Sequence, residues 1–233
     1  MAKPLIIAHR GASKLAHENT LEAFGKAIEL GADMIELDVR KTRDGVLAVI
    51  HDPKIGNAQV GRHDYGELEN LAREAGFHLP TLEEVLVLVQ GKIRLDMELK
   101  ETGYEAEAVR TVGRYLPPQD FLVTSFHRSS MGEIKSANRY VSTGLLLDRG
   151  FIKAAGDALL VHAGLLRFCD FVLPHADRLQ SVLNNDKFIG KEIYVWTADE
   201  ESLIEKLLKE PRVAGVITNV PDVALRLRDR AAV

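Results

Sequence analysis

Short apolar runs typical of β-strands recur along the whole chain, and stretches with helical spacing separate them. Eight such runs can be counted, at residues 5–8, 34–39, 93–99, 121–125, 141–147, 170–173, 193–197 and 213–218. Strands that alternate with helices pair in parallel through right-handed crossovers. Because eight such units in a chain of about 250 residues are typical of one architecture, the sequence predicts a (β/α)8 TIM barrel.

The stretches between the runs carry start signals of helices. Asn19 or Thr20 can cap the first helix, and Thr81 with Glu84 has the spacing of a capping box. Neither a change in composition nor a low-complexity tract marks a linker. We therefore expect residues 1–233 to form a single barrel domain.

One connection is irregular, because residues 40–92 separate the second strand from the third. It begins with Asp44-Gly45 between apolar runs, a strong hairpin signal. A two-residue turn there would place His51 directly opposite Asp38 on one face of the hairpin. The sequence thus predicts a β-hairpin and a short cap insertion after the second strand.

Carboxylates interrupt two of the predicted strands. Glu36 and Asp38 alternate with apolar residues in the second strand, and Asp96 and Glu98 do so in the third. Alternation places each pair on one face, and the carboxyl ends of barrel strands are where active sites are built. Unpaired buried carboxylates are costly, so this cluster needs counter-charges, protonation or a metal.

The spacing leaves two interpretations of the carboxylates open. Ligation by oxygen alone suits Mg²⁺, Ca²⁺ or Mn²⁺. Alternatively, the carboxylates form ion pairs with Arg40, Lys100 and Arg94 at the barrel mouth.

Two histidines flank the predicted cluster. His9 directly follows the first strand, and His51 lies at the end of the hairpin. One neutral imidazole can accept a proton while a protonated one donates it, which is what acid/base cleavage of a phosphodiester needs. Arg10 and Lys100 supply fixed positive charge for an anionic substrate. Trp196, at the end of the seventh strand, either stacks on substrate or closes the barrel.

Composition narrows the class of protein. A formal net charge of −4 argues against a nucleic-acid partner. No apolar run reaches the length of a spanning helix, so we expect no stable membrane insertion. The N-terminus lacks the apolar core of a signal peptide, and Cys169 is the only cysteine. These features favour the cytoplasm.

Several segments together resemble the glycerophosphodiester phosphodiesterase family, and they follow one another in family order. They are His9-Arg10-Gly11, Glu18-Asn19-Thr20, residues 31–39, Asp44-Gly45, His51-Asp52-Pro53, residues 80–84, Glu98-Leu99-Lys100, Val195-Trp196-Thr197 and Thr218-Asn219-Val220-Pro221. Two positions depart from the family pattern. His17 stands where many members have Pro, and Asn219 stands where Asp is common.

The resemblance implies a (β/α)8 barrel that hydrolyses glycerophosphodiesters to glycerol 3-phosphate and an alcohol, with roles in glycerol and lipid metabolism. It also implies attack by the substrate's own glycerol hydroxyl, through a cyclic phosphate. One divalent metal is implied, Mg²⁺ or Ca²⁺, with Mn²⁺ as a further candidate. The implied site consists of metal ligands Glu36, Asp38 and Glu98, catalytic His9 and His51, and substrate contacts Arg10, Lys100 and Trp196.

Alternatives remain at this point. We favour His9 as base and His51 as acid, although spacing does not order them. The short cap between Asp52 and Pro80 leaves room for bulkier lysophospholipids, as in a lysophospholipase D-type reaction. Two rivals are a non-catalytic barrel that binds phosphoglycerol ligands and a metal-assisted barrel that abstracts a proton next to a carboxylate.

Overall fold

The computed structural model describes residues 3–148 and 164–230, and in them eight parallel strands close into a barrel. The strands in chain order are β1 (Leu5–His9), β2 (Met34–Lys41), β3 (Leu47–Val49), β4 (Lys54–Ile55), β5 (Ala58–Gln59), β6 (Arg94–Leu99), β7 (Phe121–Ser125), β8 (Ser142–Leu147), β9 (Phe171–Pro174), β10 (Glu192–Val195) and β11 (Val213–Thr218). β1 pairs with both β2 and β11, which closes the barrel. The predicted barrel is confirmed, and its strands match the predicted runs to within two residues.

Helices surround the barrel. In the described ranges they are α1 (Leu21–Leu30), α2 (Tyr65–Glu74), α3 (Leu82–Val89), α4 (Glu105–Val112), α5 (Arg128–Ala137), α6 (Leu179–Leu183), α7 (Glu201–Lys209) and α8 (Pro221–Arg230). Thr20 caps α1 by accepting from the Ala23 amide, and Thr81 with Glu84 forms the predicted capping box. Among these helices, none has the length and apolarity to cross a bilayer.

Alternation along the strands separates two layers of side chains. Ile35 and Leu37 of β2 and Met97 of β6 point outward and pack in the apolar layer between the barrel and the helices. The inward side chains form an apolar layer at the bottom of the barrel, made by Ile7, Met34, Leu122, Leu146, Leu173, Tyr194 and Ile217. The inward positions nearer the carboxyl ends are polar, which leaves the polar groups above an apolar floor.

The predicted hairpin forms, but its predicted register is wrong by one residue. Val39 pairs with Val49, and the Ile50 amide donates to the Asp38 carbonyl, so Ile50 rather than His51 lies opposite Asp38. A two-residue turn of the expected kind needs positive φ at both central residues. Only Gly45 has it, with φ 92°, and the loop instead contains three residues between Thr42 and Val46.

The hairpin continues the barrel wall. β1 pairs with β2 only as far as Glu36, and β3 then pairs with the same edge of β2 from Val39 onward. The cap beyond β3 holds β4, β5 and α2 around its own small apolar cluster. The chain returns beside β3, where Ala48 bridges to Thr81 and the Val49 amide donates to the Pro80 carbonyl. The insertion therefore starts and ends at neighbouring points.

Candidate active site

Four carboxylates converge on two neighbouring strands. β2 and β6 pair in parallel with Glu36 beside Asp96 and Asp38 beside Glu98, and all four side chains are buried. One oxygen each of Glu36, Asp38 and Glu98 lies within 4.8 Å of the others. The strand alternation read from the sequence thus brings the three predicted metal ligands together.

Two cations contact this cluster. Lys100 Nζ lies 2.6 Å from Glu98 Oε1 and 3.1 Å from Asp38 Oδ1. Arg10 Nε lies 3.2 Å from Asp38 Oδ2. Of the other cations proposed as partners, Arg40 contacts Glu101 and Arg94 begins β6 at the far end of the barrel. The ion-pair interpretation therefore holds for Lys100 and not for Arg40 or Arg94.

The surroundings raise the pKa values of most of these carboxyls. Burial, followed by repulsion from Asp38 and Glu98, raises the pKa of Glu36 well above its usual range. Burial raises the pKa of Glu98 to about 7 and that of Asp96 to about 8. Burial also opposes ionisation of Asp38, but Lys100 and Arg10 outweigh it and lower its pKa. Full ionisation of the cluster needs more positive charge than these side chains provide.

The donor set fits a divalent metal. Glu36, Asp38 and Glu98 offer only oxygens, which hard cations such as Mg²⁺, Ca²⁺ and Mn²⁺ prefer. Asp38 Oδ1 is buried, and Lys100 Nζ approaches it to 3.1 Å without forming a well-directed hydrogen bond. A bound cation would offset the negative charge of this oxygen and lower the raised pKa values of Glu36 and Glu98.

His9 is the last residue of β1 and lies beside Glu36 of β2. Its Nδ1 is 2.8 Å from Asn219 Oδ1, and its Nε2 is 3.9 Å from Glu36 Oε2. Burial and the neighbouring Arg10 lower the pKa of His9, so its neutral form is favoured. A neutral imidazole beside the carboxylates is suited to accept a proton.

His51 reaches the same cavity from the hairpin. Its Nδ1 lies 2.8 Å from Asp52 Oδ1, and its carbonyl accepts from Arg40 Nε at 2.8 Å. The side chain does not reach the site by facing Asp38 across the hairpin, as the predicted register required. His51 reaches the cavity because β3 pairs with the same edge of β2 as β1 does, just beyond the point where His9 lies beside Glu36.

Arg10 adopts an unusual backbone conformation. Its φ is 56°, in the left-handed region, and its amide donates to Glu36 Oε2 at 2.9 Å. Its guanidinium also contacts Glu18 at 2.8 Å. Non-glycine residues in this region cluster at functional sites, because the surrounding structure must hold them there. Arg10 therefore binds the cluster through both its backbone and its side chain.

These groups surround one cavity of about 140 Å³. Its walls are formed by His9, Arg10, Glu36, His51, Asp96, Glu98, Lys100, Thr124, Phe126, Leu146, Trp196 and Ile217. The Trp196 indole N–H donates to the Leu173 carbonyl at 2.7 Å, while its ring meets Phe126 edge-on at 5.5 Å. Trp196 thus packs into the barrel wall and lines the cavity, while its stacking on substrate stays a prediction.

Some residues of the site carry no clear sequence signal. Phe126 follows β7 as an ordinary apolar residue, with 37% of its surface exposed. Asn19 donates to Asp38 Oδ2 at 2.8 Å from a backbone with φ 56°. Asn219 stands out in the sequence as a departure from the family pattern. Position relative to a strand end is the one signal that points to Phe126 and Asn219.

Comparisons with known proteins show the family to which the chain belongs. A model of the glycerophosphoryl diester phosphodiesterase family matches residues 9–223. A glycerophosphodiester phosphodiesterase of Caldanaerobacter subterraneus subsp. tengcongensis is 32% identical over 97% of this chain and 98% of its own length.

Solved structures are similar over nearly the whole chain. An Oleispira antarctica phosphodiesterase, in complex with the product sn-glycerol-3-phosphate, has a TM-score of 0.81 at 25% identity and covers 97% of both chains. A Parabacteroides distasonis glycerophosphodiester phosphodiesterase has a TM-score of 0.82 at 26% identity, with 99% of both chains covered. A protein of Agrobacterium tumefaciens has a TM-score of 0.86 over 99% of both chains, and at 21% identity it shows the fold alone.

Proposed function

Since the chain belongs to the glycerophosphoryl diester phosphodiesterase family and is an enzyme of this class, we propose that it releases glycerol 3-phosphate by metal-dependent acid/base catalysis. One observation carries this proposal. Two histidines, His9 and His51, line the same cavity as Glu36 and Glu98. These two carboxylates and Asp38, which lies beside the cavity wall, form a set that fits a divalent metal. A barrel that only binds phosphoglycerol has no need of paired proton carriers.

The cations hold the phosphate in this mechanism. Arg10 and Lys100 line the cavity and offer charge-assisted hydrogen bonds to phosphate oxygens. A divalent metal held by Glu36, Asp38 and Glu98 would act as a Lewis acid, lowering the pKa of an attacking hydroxyl and offsetting charge in the transition state.

The histidines move the protons. His9 Nε2 removes the proton from a glycerol hydroxyl of the substrate, which attacks phosphorus to give a cyclic phosphate. His51 protonates the departing alkoxide, and the alcohol leaves. Water then opens the cyclic phosphate with the two histidines in reversed roles, which yields glycerol 3-phosphate and restores both protonation states.

A second cavity of about 290 Å³ supports the role of His51 as the acid. It lies beyond His51, and its walls include Glu18, Ile50, Asp52 and Phe77. A leaving alcohol on the side of His51 would enter this space. The polar and apolar walls suit a small amphipathic alcohol.

The experiment is a direct assay of glycerol 3-phosphate release from glycerophosphocholine. Metal-free protein is supplied with Mg²⁺, Ca²⁺, Mn²⁺ or EDTA, and product is measured by an enzyme-coupled reaction. We expect release with at least one metal and none with EDTA. Failure with every metal would refute the function, and full activity in EDTA would refute metal dependence.

An exposed aromatic wall favours lysophospholipids as a second substrate class. Phe126 and Trp196 meet at the cavity mouth, and the 37% exposure of Phe126 offers an apolar surface to an acyl chain. Release of product from lysophosphatidylcholine is compared with that from glycerophosphocholine. Phe126→Ala should lower kcat/KM for the lysolipid by about tenfold and leave the smaller diester nearly unchanged. Equal losses on both substrates would contradict this assignment.

The remaining proposals concern the size class of the substrate and the cellular location of the protein. The net charge of −4 and the small cavity suit a small-molecule substrate rather than nucleic acid. We place the protein in the cytoplasm, where glycerol 3-phosphate release would feed glycerol and lipid metabolism.

A further inference from the structure

An asparagine links His9 to a carboxylate outside the cavity. Asn219 directly follows β11, and its Oδ1 lies 2.8 Å from His9 Nδ1. Its Nδ2 donates to Asp199 Oδ2 at 2.7 Å, and its backbone amide donates to Asp199 Oδ1 at 2.8 Å. Asp199 is absent from the cavity lining and from the carboxylate cluster. The described residues thus contain a chain of hydrogen bonds from Asp199 through Asn219 to His9.

The carboxylate decides which way the Asn219 amide points. An ionised carboxylate can only accept hydrogen bonds, whereas a carboxamide has one accepting end and one donating end. If the amide were reversed, its oxygen would face the Asp199 oxygens, and two acceptors would repel. The orientation with Nδ2 toward Asp199 is therefore the stable one, and it turns Oδ1 toward His9.

The orientation of Asn219 in turn decides where neutral His9 carries its proton. Because Asn219 Oδ1 accepts, His9 Nδ1 must donate, so the single proton of the neutral ring lies on Nδ1. The other nitrogen, Nε2, then has a free lone pair on the side of Glu36 in the cavity. Only this tautomer can accept a proton from a group bound there.

We propose that Asp199 is a positioning residue that acts through Asn219 to hold His9 in the Nδ1–H tautomer, with Nε2 free to accept a proton. The use of that lone pair as a general base rests on the proposed function. The tautomer itself is independent of it. Asp199 also accepts from Thr218 Oγ1 at 3.1 Å, so a role confined to supporting the turn after β11 must be distinguished.

The decisive measurement is ¹⁵N NMR of protein labelled at histidine nitrogens, at about pH 8 where imidazole is neutral. Protonated and unprotonated ring nitrogens resonate in separate regions, and the His9 signals are assigned from a His9→Gln sample. We expect a protonated Nδ1 and an unprotonated Nε2 in the unaltered protein. The opposite pattern there would overturn the proposal without any variant.

Asp199→Asn tests the origin of the tautomer. The new amide donates toward Asn219, so Asn219 should reverse and present its Nδ2 to His9, which moves the proton to Nε2. We expect the two nitrogen signals to exchange and kcat to fall by about 10-fold to 10²-fold with KM nearly unchanged. Loss of activity with an unchanged tautomer would assign Asp199 a structural role and refute the proposal.

A double variant provides the rescue. In Asp199→Asn with Asn219→Asp, the amide at 199 donates to the carboxylate at 219, whose other oxygen accepts from His9 Nδ1. The Nδ1–H tautomer and most of kcat should return. Thr218→Val is the matched control, because it loses a contact to Asp199 and leaves in place the bonds of the Asn219 side chain to His9, Asp199 and Ser13. It should lower thermal stability without changing the tautomer.

The two proposals fail separately. If the tautomer exchanges and is rescued but no variant or parent releases glycerol 3-phosphate, the proposed function is wrong and the positioning role stands. If the parent is active and the Asp199→Asn tautomer is unchanged, the positioning role is wrong and the function stands.

Discussion

Glu36 and Asp38 are similar acids two residues apart on β2, yet their pKa values move in opposite directions. Burial opposes ionisation of both. Asp38 lies beside the charges of Lys100 and Arg10 and accepts a hydrogen bond from the Asn19 side chain. These interactions outweigh burial and lower the pKa of Asp38. Glu36 faces three other carboxylates, those of Asp38, Glu98 and Asp96, and accepts from the Arg10 amide. Of the three proposed metal ligands, Glu36 is therefore the one that would gain most from a bound cation.

Replacing Glu36 should separate stability from metal binding. We expect Glu36→Gln to raise the free energy of unfolding in EDTA by about 1 to 3 kcal/mol, since it removes a poorly compensated buried acid. The same change should abolish most of the rise in Tm that a divalent metal produces in the parent protein. Calorimetry in EDTA and in excess Mg²⁺ or Ca²⁺ measures both. A lower Tm in EDTA would contradict this account of the cluster.

Each of the two histidines proposed as acid and base should be individually required. His9→Ala and His51→Ala should each lower kcat by about 10² or more, the usual contribution of a general acid or base. Circular dichroism would verify that the fold is kept. His63→Ala is the control, because His63 contacts the Gln59 carbonyl in the cap and does not line the cavity. Near-normal turnover in either catalytic variant would remove that residue from the mechanism.

At the scale of elements, the strands were predictable and the hairpin register was not. Alternation of Glu36 and Asp38 with Ile35 and Leu37 fixes which side of β2 faces inward, whatever the rest of the chain does. The hairpin register depends on whether Asp44 adopts positive φ, and a dipeptide motif does not decide this. A one-residue change in loop length moved every pairing in the hairpin.

The candidate site was predictable where its residues come from strands or strand ends. Glu36, Asp38 and Glu98 follow from periodicity, and His9 follows from its place at the carboxyl end of the first strand. Asn19 and Asp199 come from loops, where no repeat links a residue's number to its direction. Their contacts with Asp38 and Asn219 depend on how loops distant in sequence pack together, so only the structure reveals them.

Gly11 joins the first strand to the first helix under tight constraints. Its φ is 81°, and an added Cβ would lie 2.6 Å from the Ala23 carbonyl carbon. Gly11→Ala should therefore destabilise the protein by about 1 to 3 kcal/mol or more. Gly25→Ala is the control within α1, where a Cβ meets nothing within 4 Å. That change should stabilise by about 0.5 to 1 kcal/mol. Equal Tm values for the two variants would contradict the packing argument.

At the scale of the whole molecule, the cluster makes the metal-free fold sensitive to alkaline pH. The pKa values of Glu98 and Asp96 are raised to about 7 and about 8, whereas these acids titrate near about 4 when unfolded. Between about pH 6.5 and 8.5 the folded protein therefore binds more protons than the unfolded chain. Stability must then fall as pH rises.

Chemical denaturation in EDTA across this pH window tests the linkage. We expect the free energy of unfolding to decrease with pH by the order of a few kcal/mol. Asp96→Asn should flatten part of the slope, since the amide cannot ionise. Saturating metal should flatten it further. A stability that rises with pH in EDTA would show that the carboxyls ionise freely in the folded state.

The two ends of the cap lie close together, and this affects which changes in the cap the barrel can tolerate. The insertion leaves after His51 and returns at Pro80, beside β3, where Ala48 bridges to Thr81. Chain added between two fixed and adjacent anchors costs only a slowly growing loop entropy. Glu36, Asp38 and His51 come from the strand and hairpin beneath those anchors. An exchange of the cap would thus leave the proposed reacting groups in place and change the walls past which a substrate reaches them.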